Sequence, residues 1–362
     1  MKRSINNNGN YSVKRQAENR SLRETLKKET ILCAEGYLFE LERRGYLQAG
    51  VFAPTVLLEY PDVVRQLHLD FARAGSDVME ALTYYANPEK LRVLGMEDRF
   101  EEMNQVALTI AGEVAKEYDT WFAGNICNTN IYQPDKPIVN KEIRAIFDQQ
   151  VAWASQAGVD YIIGETFGFL GEALIALEAI KAANIEAVIT LTAGKNDQTH
   201  DGYSFGEAAK RLEQRGADVV GVNCHRGPEM IKPLVHAMRK AVDIPIAALP
   251  VPYRTSTKTP SFMALQENNC PCDIPTETAF PVALDPFTCN RFEVSEFAKE
   301  MKRSNINYIG LCCGAGPHHI RAMAEALGRS PETGKYSPDM SKHVLFGTDS
   351  EITGKAADKG LY

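Results

Sequence analysis

The sequence predicts a (β/α)8 barrel, and three observations carry that expectation. Short, near-continuously apolar runs alternate with amphipathic stretches from residue 30 to residue 329, the pattern of strands buried on both faces with helices between them. Three joints share one chemistry: Ala74-Gly75-Ser76-Asp77, Ala157-Gly158-Val159-Asp160 and Arg215-Gly216-Ala217-Asp218. Glycine there suits the left-handed end of a helix, and the next strand starts at once. No Gly-x-Gly-x-x-Gly follows the first strand, which sets aside a doubly wound open sheet with its dinucleotide site.

The expected strands are 30–34, 78–83, 120–126, 159–164, 186–192, 218–223, 244–249 and 307–311. Helices are expected at 55–74, 97–118, 140–157, 171–183, 205–215, 228–241, 293–304 and 317–328. Residues 1–29 are polar and read as an arm or a short surface helix. A Pro-rich polar segment, 250–291, separates the seventh strand from its helix. Residues 330–362 cannot bury much alone, so they are expected to be disordered or to form an oligomerisation arm on a second copy.

A formal net charge of −7 argues against a nucleic-acid partner, which needs a basic face. No apolar run approaches the ~20 residues that span a bilayer, and the basic N-terminus lacks an apolar region behind it. The expected setting is therefore cytoplasmic. Eight cysteines in 362 residues are too sparse for a disulfide scaffold. Cys33, Cys127 and Cys289 read as small core hydrophobes, and Cys270-Pro271-Cys272 as loop thiols or a redox pair.

In a (β/α)8 barrel the active site lies at the C-terminal strand ends. That rule brings together Glu35-Gly36 after the first strand, Tyr84-Tyr85 after the second, and Glu165 at the end of the fourth. It adds Cys224-His225 after the sixth and Cys312-Cys313 after the eighth. Neighbouring strand residues point to opposite faces, so core burial does not account for both Cys312 and Cys313. A vicinal disulfide is the rival reading, disfavoured by strain and a reducing compartment. Gly314 and Gly316 let the chain bend until both sulfurs face one centre. Soft thiolates in tetrahedral geometry select zinc, and three protein ligands leave a position open for substrate. Cys224, Cys312 and Cys313 are the expected zinc ligands. His225 is a weaker candidate, His318 and His319 read as helix-capping or surface residues, and His200-Asp201-Gly202 as a turn.

Gly-Val-Asn-Cys-His at 221–225 and GLCCGAGPHHIRAMAEAL at 310–327 resemble the zinc-binding stretches of the homocysteine methyltransferase family. LERRGYLQAG (41–50), YPDVV (60–64), RQLHLDFARAGSDVME (65–80), TYYA (83–86) and SPDMSKH (337–343) extend the resemblance over most of the chain. It implies a barrel in which zinc on Cys224, Cys312 and Cys313 takes the sulfur of homocysteine at its open position. It also implies that Glu165 holds the amino acid and that Tyr85 lies by the metal and the methyl donor. A quaternary ammonium donor needs aromatic faces, for which Tyr84, Tyr85 and Phe52 are the candidates. Three positions depart from the family pattern: Ala34-Glu35-Gly36 replaces Asp-Gly-Gly, Thr166 replaces Tyr, and Phe52 replaces Trp. Glu35 is the displaced carboxylate expected to meet the acceptor's ammonium.

The implied activity is transfer of a methyl group from a cationic donor, glycine betaine first, to homocysteine, giving methionine. Alternatives are a sulfonium or other betaine donor, or a non-catalytic barrel with structural zinc. Structural zinc is normally closed by four ligands, and only three good ones are visible. Small-molecule substrates and a homo-oligomer are the expected partners.

Overall fold

The computed structural model describes residues 20–193, 196–266, 278–336 and 339–360. Its strands are β1 Ile31–Ala34, β2 Val78–Glu80, β3 Trp121–Cys127, β4 Tyr161–Phe167, β5 Glu186–Leu191, β6 Val219–Asn223, β7 Ile246–Leu249 and β8 Tyr308–Leu311. All are parallel, in the order β1-β8-β7-β6-β5-β4-β3-β2, so the (β/α)8 barrel is the observed fold. The helices are α1 Leu22–Leu26, α2 Tyr37–Arg43, α3 Val56–Glu59, α4 Pro61–Ala74, α5 Pro88–Leu91, α6 Phe100–Tyr118 and α7 Pro137–Ala157. They continue as α8 Leu170–Ala182, α9 Phe205–Gln214, α10 Pro228–Ala241, α11 Arg291–Arg303, α12 Pro317–Ala326 and α13 Ser350–Asp358.

The repeated Gly-x-Asp joints do more than stop a helix. Asp77 donates its N–H to the Leu32 carbonyl at 2.7 Å, and its carboxylate accepts the Leu32 N–H at 2.8 Å. This brace closes the seam between β1 and β2. Asp160 grips Phe122 in the same way, at 2.8 Å for both bonds, and Asp218 grips Ala187 at 3.1 and 2.8 Å. Each aspartate thus fixes the entry of an even-numbered strand against the strand before it. The preceding glycines, at φ 101°, 77° and 90°, allow the turn that sends the chain into that strand.

Where observed elements differ from the expected ones, local chemistry explains it. The helix expected over 55–74 is two helices, because Pro61 disfavours helical geometry at Tyr60, which sits at φ −141° and ψ 60°. β2 stops at Glu80, after which Thr83 folds back on the Ala81 carbonyl. β4 runs on to Phe167 through a register shift between Gly164 and Phe167. The short helix α1 is not a surface element. Leu22 and Leu26 are fully buried with Ile31, Val78, Trp121, Tyr161 and Tyr308, plugging the barrel from its N-terminal end. Glu186, which opens β5, holds α1 by accepting from Ser21 Oγ and the Leu22 N–H, both at 2.7 Å. Among the described residues no helix is long and apolar enough to cross a membrane.

Replacing Asp160 by Ala leaves the Phe122 N–H without its acceptor, a loss of about 1–3 kcal/mol. Asp160→Asn keeps an acceptor oxygen and is expected to fall within about 1 kcal/mol of the parent. Urea denaturation of the two variants separates the hydrogen bond from a general intolerance at the joint.

Candidate active site

Strand alternation puts one polar residue from each of several strands in the same inward layer above the apolar plug. Val78 points into the barrel, and so does Glu80 two residues on. Ala123 is followed by Asn125, Ile163 by Glu165 and Val219, through Gly221, by Asn223. Glu80, Asn125, Glu165 and Asn223 are all buried. Asn125 Nδ2 donates to Glu80 Oε1 at 2.5 Å and to Glu165 Oε1 at 2.6 Å. Asn223 Nδ2 donates to Glu165 Oε2 at 2.7 Å and Thr166 Oγ1 at 2.8 Å, and reaches Glu35 Oε2 at 3.3 Å. Asn223 Oδ1 accepts the Thr166 N–H at 3.0 Å, which holds that residue in the left-handed region at φ 60°.

Three carboxyl groups in so dry a layer resist ionisation. Burial pushes Glu165 up to about 7, against the lowering effect of the hydrogen bond from Asn125. Burial first, then the neighbouring carboxylates, drive Glu35 and Glu80 well above the ordinary range.

The three predicted sulfurs meet beside this layer. Cys224 and Cys313 Sγ lie 3.7 Å apart and Cys312 and Cys313 Sγ 3.9 Å, with all three within 4.8 Å of one another. Hydrogen bonds from Cys312 and Cys313 hold the Cys224 thiol well below its usual range. Burial raises Cys312, and the hydrogen bond with Cys224 raises Cys313. One thiol of the three is thus primed to ionise first.

The backbone under the sulfurs is braced. Cys224 and His225 both take left-handed conformations, at φ 57° and 54°. After Cys313 the chain turns at Gly314, φ 93°, where a Cβ would stand 2.2 Å from the Tyr253 hydroxyl. Arg43 of α2 clamps this turn, donating to the Gly314 carbonyl at 3.0 Å and to Tyr253 Oη at 2.7 Å. Gly36 presses on the same loop, since a Cβ there would lie 2.6 Å from the Ala315 carbonyl.

Glu35, Glu165, Tyr84, Cys312 and Cys313 line one pocket. Tyr84 and Tyr85 stack obliquely with ring centroids 4.2 Å apart, and Lys90 Nζ stands 3.9 Å above the Tyr85 ring. The Tyr85 N–H donates to Cys127 Sγ at 3.3 Å, so Cys127 seats that tyrosine as well as filling space. Phe52 stands apart from this pocket's walls. It stacks on Phe39 at 5.0 Å, with Phe280 at 6.4 Å, in an adjoining aromatic cluster.

His225 is not grouped with the sulfurs. His319 is buried rather than on the surface and accepts the Gly316 N–H at 3.1 Å, a helix cap. His200 lies in a turn, and its neighbour Asp201 caps α8 through the Leu170 and Gly171 N–H groups at 3.0 Å. Cys270 and Cys272 lie outside the described residues. Sequence reasoning overlooked Glu80, Asn125, Arg43 and Tyr253. For Glu80 and Asn125 a signal existed, because a polar residue in an otherwise apolar strand marks an inward site position.

The family model described as homocysteine S-methyltransferase matches residues 33–327. The chain belongs to this family. Betaine–homocysteine S-methyltransferase 1 of Danio rerio is 37% identical over 333 residues, 90% of this chain and 80% of its own. The S-methylmethionine–homocysteine S-methyltransferase of Pongo abelii is 33% identical over 343 residues, 93% of this chain and 88% of its own. Among solved structures, the homocysteine methyltransferase MmuM of Escherichia coli superposes with a TM-score of 0.65 at 19% identity. It covers 84% of this chain and 99% of its own, a likeness of fold.

Gly314→Ala is expected to cost about 1–3 kcal/mol of stability, because an L-residue is strained at this φ and its Cβ would strike Tyr253. Thiol titration of the folded variant should find Cys313 more reactive as its turn is displaced. A parent-like melting temperature and thiol reactivity would show that the turn has room.

Proposed function

We propose that this chain transfers a methyl group from a cationic donor, glycine betaine first, to the sulfur of homocysteine, with zinc held by Cys224, Cys312 and Cys313. The single observation that carries the reading is the convergence of these three sulfurs beside a buried carboxylate layer at the C-terminal end of the barrel. Tetrahedral zinc with bonds of ~2.3 Å sets its sulfurs ~3.8 Å apart. The separations of 3.7 and 3.9 Å suit that geometry before any metal is considered. Three soft donors with no fourth beside them among the described residues leave room for a substrate sulfur.

When bound, zinc supplies a positive centre that favours the thiolate form of the acceptor near neutral pH. The protein's residues orient the rest. Glu165, fixed by Asn125 and Asn223, faces the acceptor's ammonium from β4, and Glu35 approaches it from β1. Tyr84 and Tyr85, whose phenols burial keeps protonated, offer ring faces to the donor's fixed positive charge. Lys90, above Tyr85, is placed to meet a carboxylate on the donor, which favours a zwitterionic betaine over a simple alkylammonium. The relatives' names include both betaine and S-methylmethionine, so a sulfonium donor is the second reading. Residues 339–360 expose Met340, Leu345 and Phe346, which suits an arm laid on a second copy in a cytoplasmic homo-oligomer.

Cys224→Ala, Cys312→Ala and Cys313→Ala are each expected to lose zinc and turnover while the barrel stays folded, by metal analysis and circular dichroism. Full occupancy in any one of them removes that residue from the ligand set. A donor panel offered with homocysteine, reading out methionine, identifies the donor. Tyr85→Leu is expected to raise the donor KM about 2- to 30-fold with zinc retained. Glu165→Ala should weaken homocysteine binding without releasing metal, and unchanged affinity would make Glu165 structural.

A further inference from the structure

We infer that Glu80 is a third acceptor-binding carboxylate, which takes the α-ammonium of the amino-acid substrate together with Glu35 and Glu165; this rests on the homocysteine reading above. Glu80 ends β2 on the inward face, is only 2% exposed, and lines the pocket that also contains Glu35, Glu165, Cys312 and Cys313. Its Oε1 is taken by Asn125, whereas its Oε2 has no hydrogen-bond partner among the described residues. A buried carboxylate oxygen with no donor is costly, and a ligand bringing an N–H removes that cost. Glu35 offers a second such oxygen, Oε1.

The spacing says which ligand fits. Oxygens of Glu35 and Glu80 lie within 4.8 Å of each other, and oxygens of Glu35 and Glu165 lie within 4.8 Å of the Cys312 sulfur. A cation among these carboxylates therefore sits one short chain away from the sulfur centre, as the amino group of an amino-thiol does. A primary ammonium carries three N–H donors, one for each carboxylate. A trimethylated ammonium carries none, so it would leave the unpaired carboxylate oxygens without a donor whatever it gains from their charge. The carboxylate layer thus selects the acceptor, and the rings select the donor. A second metal on Cys33, Glu35 and Glu80 is the rival use of the same atoms. Cys33 is fully buried in the apolar plug and is not among the residues that line the pocket.

The test compares homocysteine with 4-mercaptobutanoate, the same thiol without the amino group, by calorimetry on the full-length zinc protein and on Glu80→Gln. Glutamine keeps an oxygen for Asn125 and removes the carboxyl that an incoming ammonium would hold in its ionised form. Homocysteine Kd is expected to rise about tenfold or more, while the des-amino thiol changes by less than about twofold. The homocysteine KM should rise with kcat and donor KM held, and Glu80→Asp should recover part of the affinity. Equal weakening of both thiols, or unchanged homocysteine affinity, overturns the assignment. So does loss of a second equivalent of zinc from Glu80→Gln. Methionine formation by the unaltered protein is scored separately: its absence overturns methyl transfer, while the thiol comparison still decides Glu80.

Discussion

The carboxamide of Asn223 is the contact on which the rest of the site depends. A closed parallel barrel buries its strand ends, so the charged groups placed there lose water and must find donors within the protein. Asn223 sits immediately before Cys224 and binds both the side chain of Glu165 and the backbone of Thr166. It ties the sulfur centre on β6 to the carboxylate on β4. An amide nitrogen has only two hydrogens, and the short contacts to Glu165 and Thr166 use them. Glu35 is left with a long, weak contact at 3.3 Å. Asn125 divides its two hydrogens between Glu80 and Glu165. Two amides serving three carboxylates leave unfilled acceptors, and these define where a cationic ligand gains most.

Backbone strain gathers around the same contact. Tyr85, Thr166, Cys224 and His225 all hold positive φ without being glycine. Thr166 is the most constrained of them, because a β-branched side chain disfavours that region. Such conformations persist only where the surroundings over-determine them. Here the ladder on both sides of β4 and β6, the Asn223 bridge and the Arg43 clamp supply that determination. The turn at Thr166 directs Glu165 inward, and the turn at Cys224 directs its sulfur towards Cys313.

The barrel was legible because strands buried on both faces are written as apolar runs, and all eight lie where those runs are. The Gly-x-Asp joints were legible as helix ends, but the double grip of Asp77, Asp160 and Asp218 on the previous strand was not. A carboxylate accepting a backbone N–H some 40 positions away leaves no local pattern. A short helix was one of the two readings of the N-terminal arm, but its burial was not legible. Five residues with two leucines have no periodicity, and only the open barrel end explains why they are covered. The sulfur triad could be inferred because strand-end position is a strong rule and paired cysteines are rare. Phe52 could not be placed, since a ring at the barrel mouth packs as readily on other rings as on a ligand. Glu80 carried a signal, a charged residue inside a near-continuously apolar strand, but its inward direction became plain only with the strand's register.

Under the proposed methyl transfer, the division of labour between oxygens and rings bears on the order in which the two substrates gain most from binding. With zinc on Cys224, Cys312 and Cys313 as proposed, three thiolates would outweigh the dication by one negative charge, and an acceptor thiolate would make the imbalance two. In a site of low dielectric that charge draws a cation strongly. The methyl donor would therefore be attracted most when the acceptor is already ionised and in place. Transfer turns the thiolate into a neutral thioether and the donor's cationic centre into a neutral one. Both products would lose the attraction that brings the substrates together, while the proposed carboxylate layer would still hold the ammonium of the amino acid.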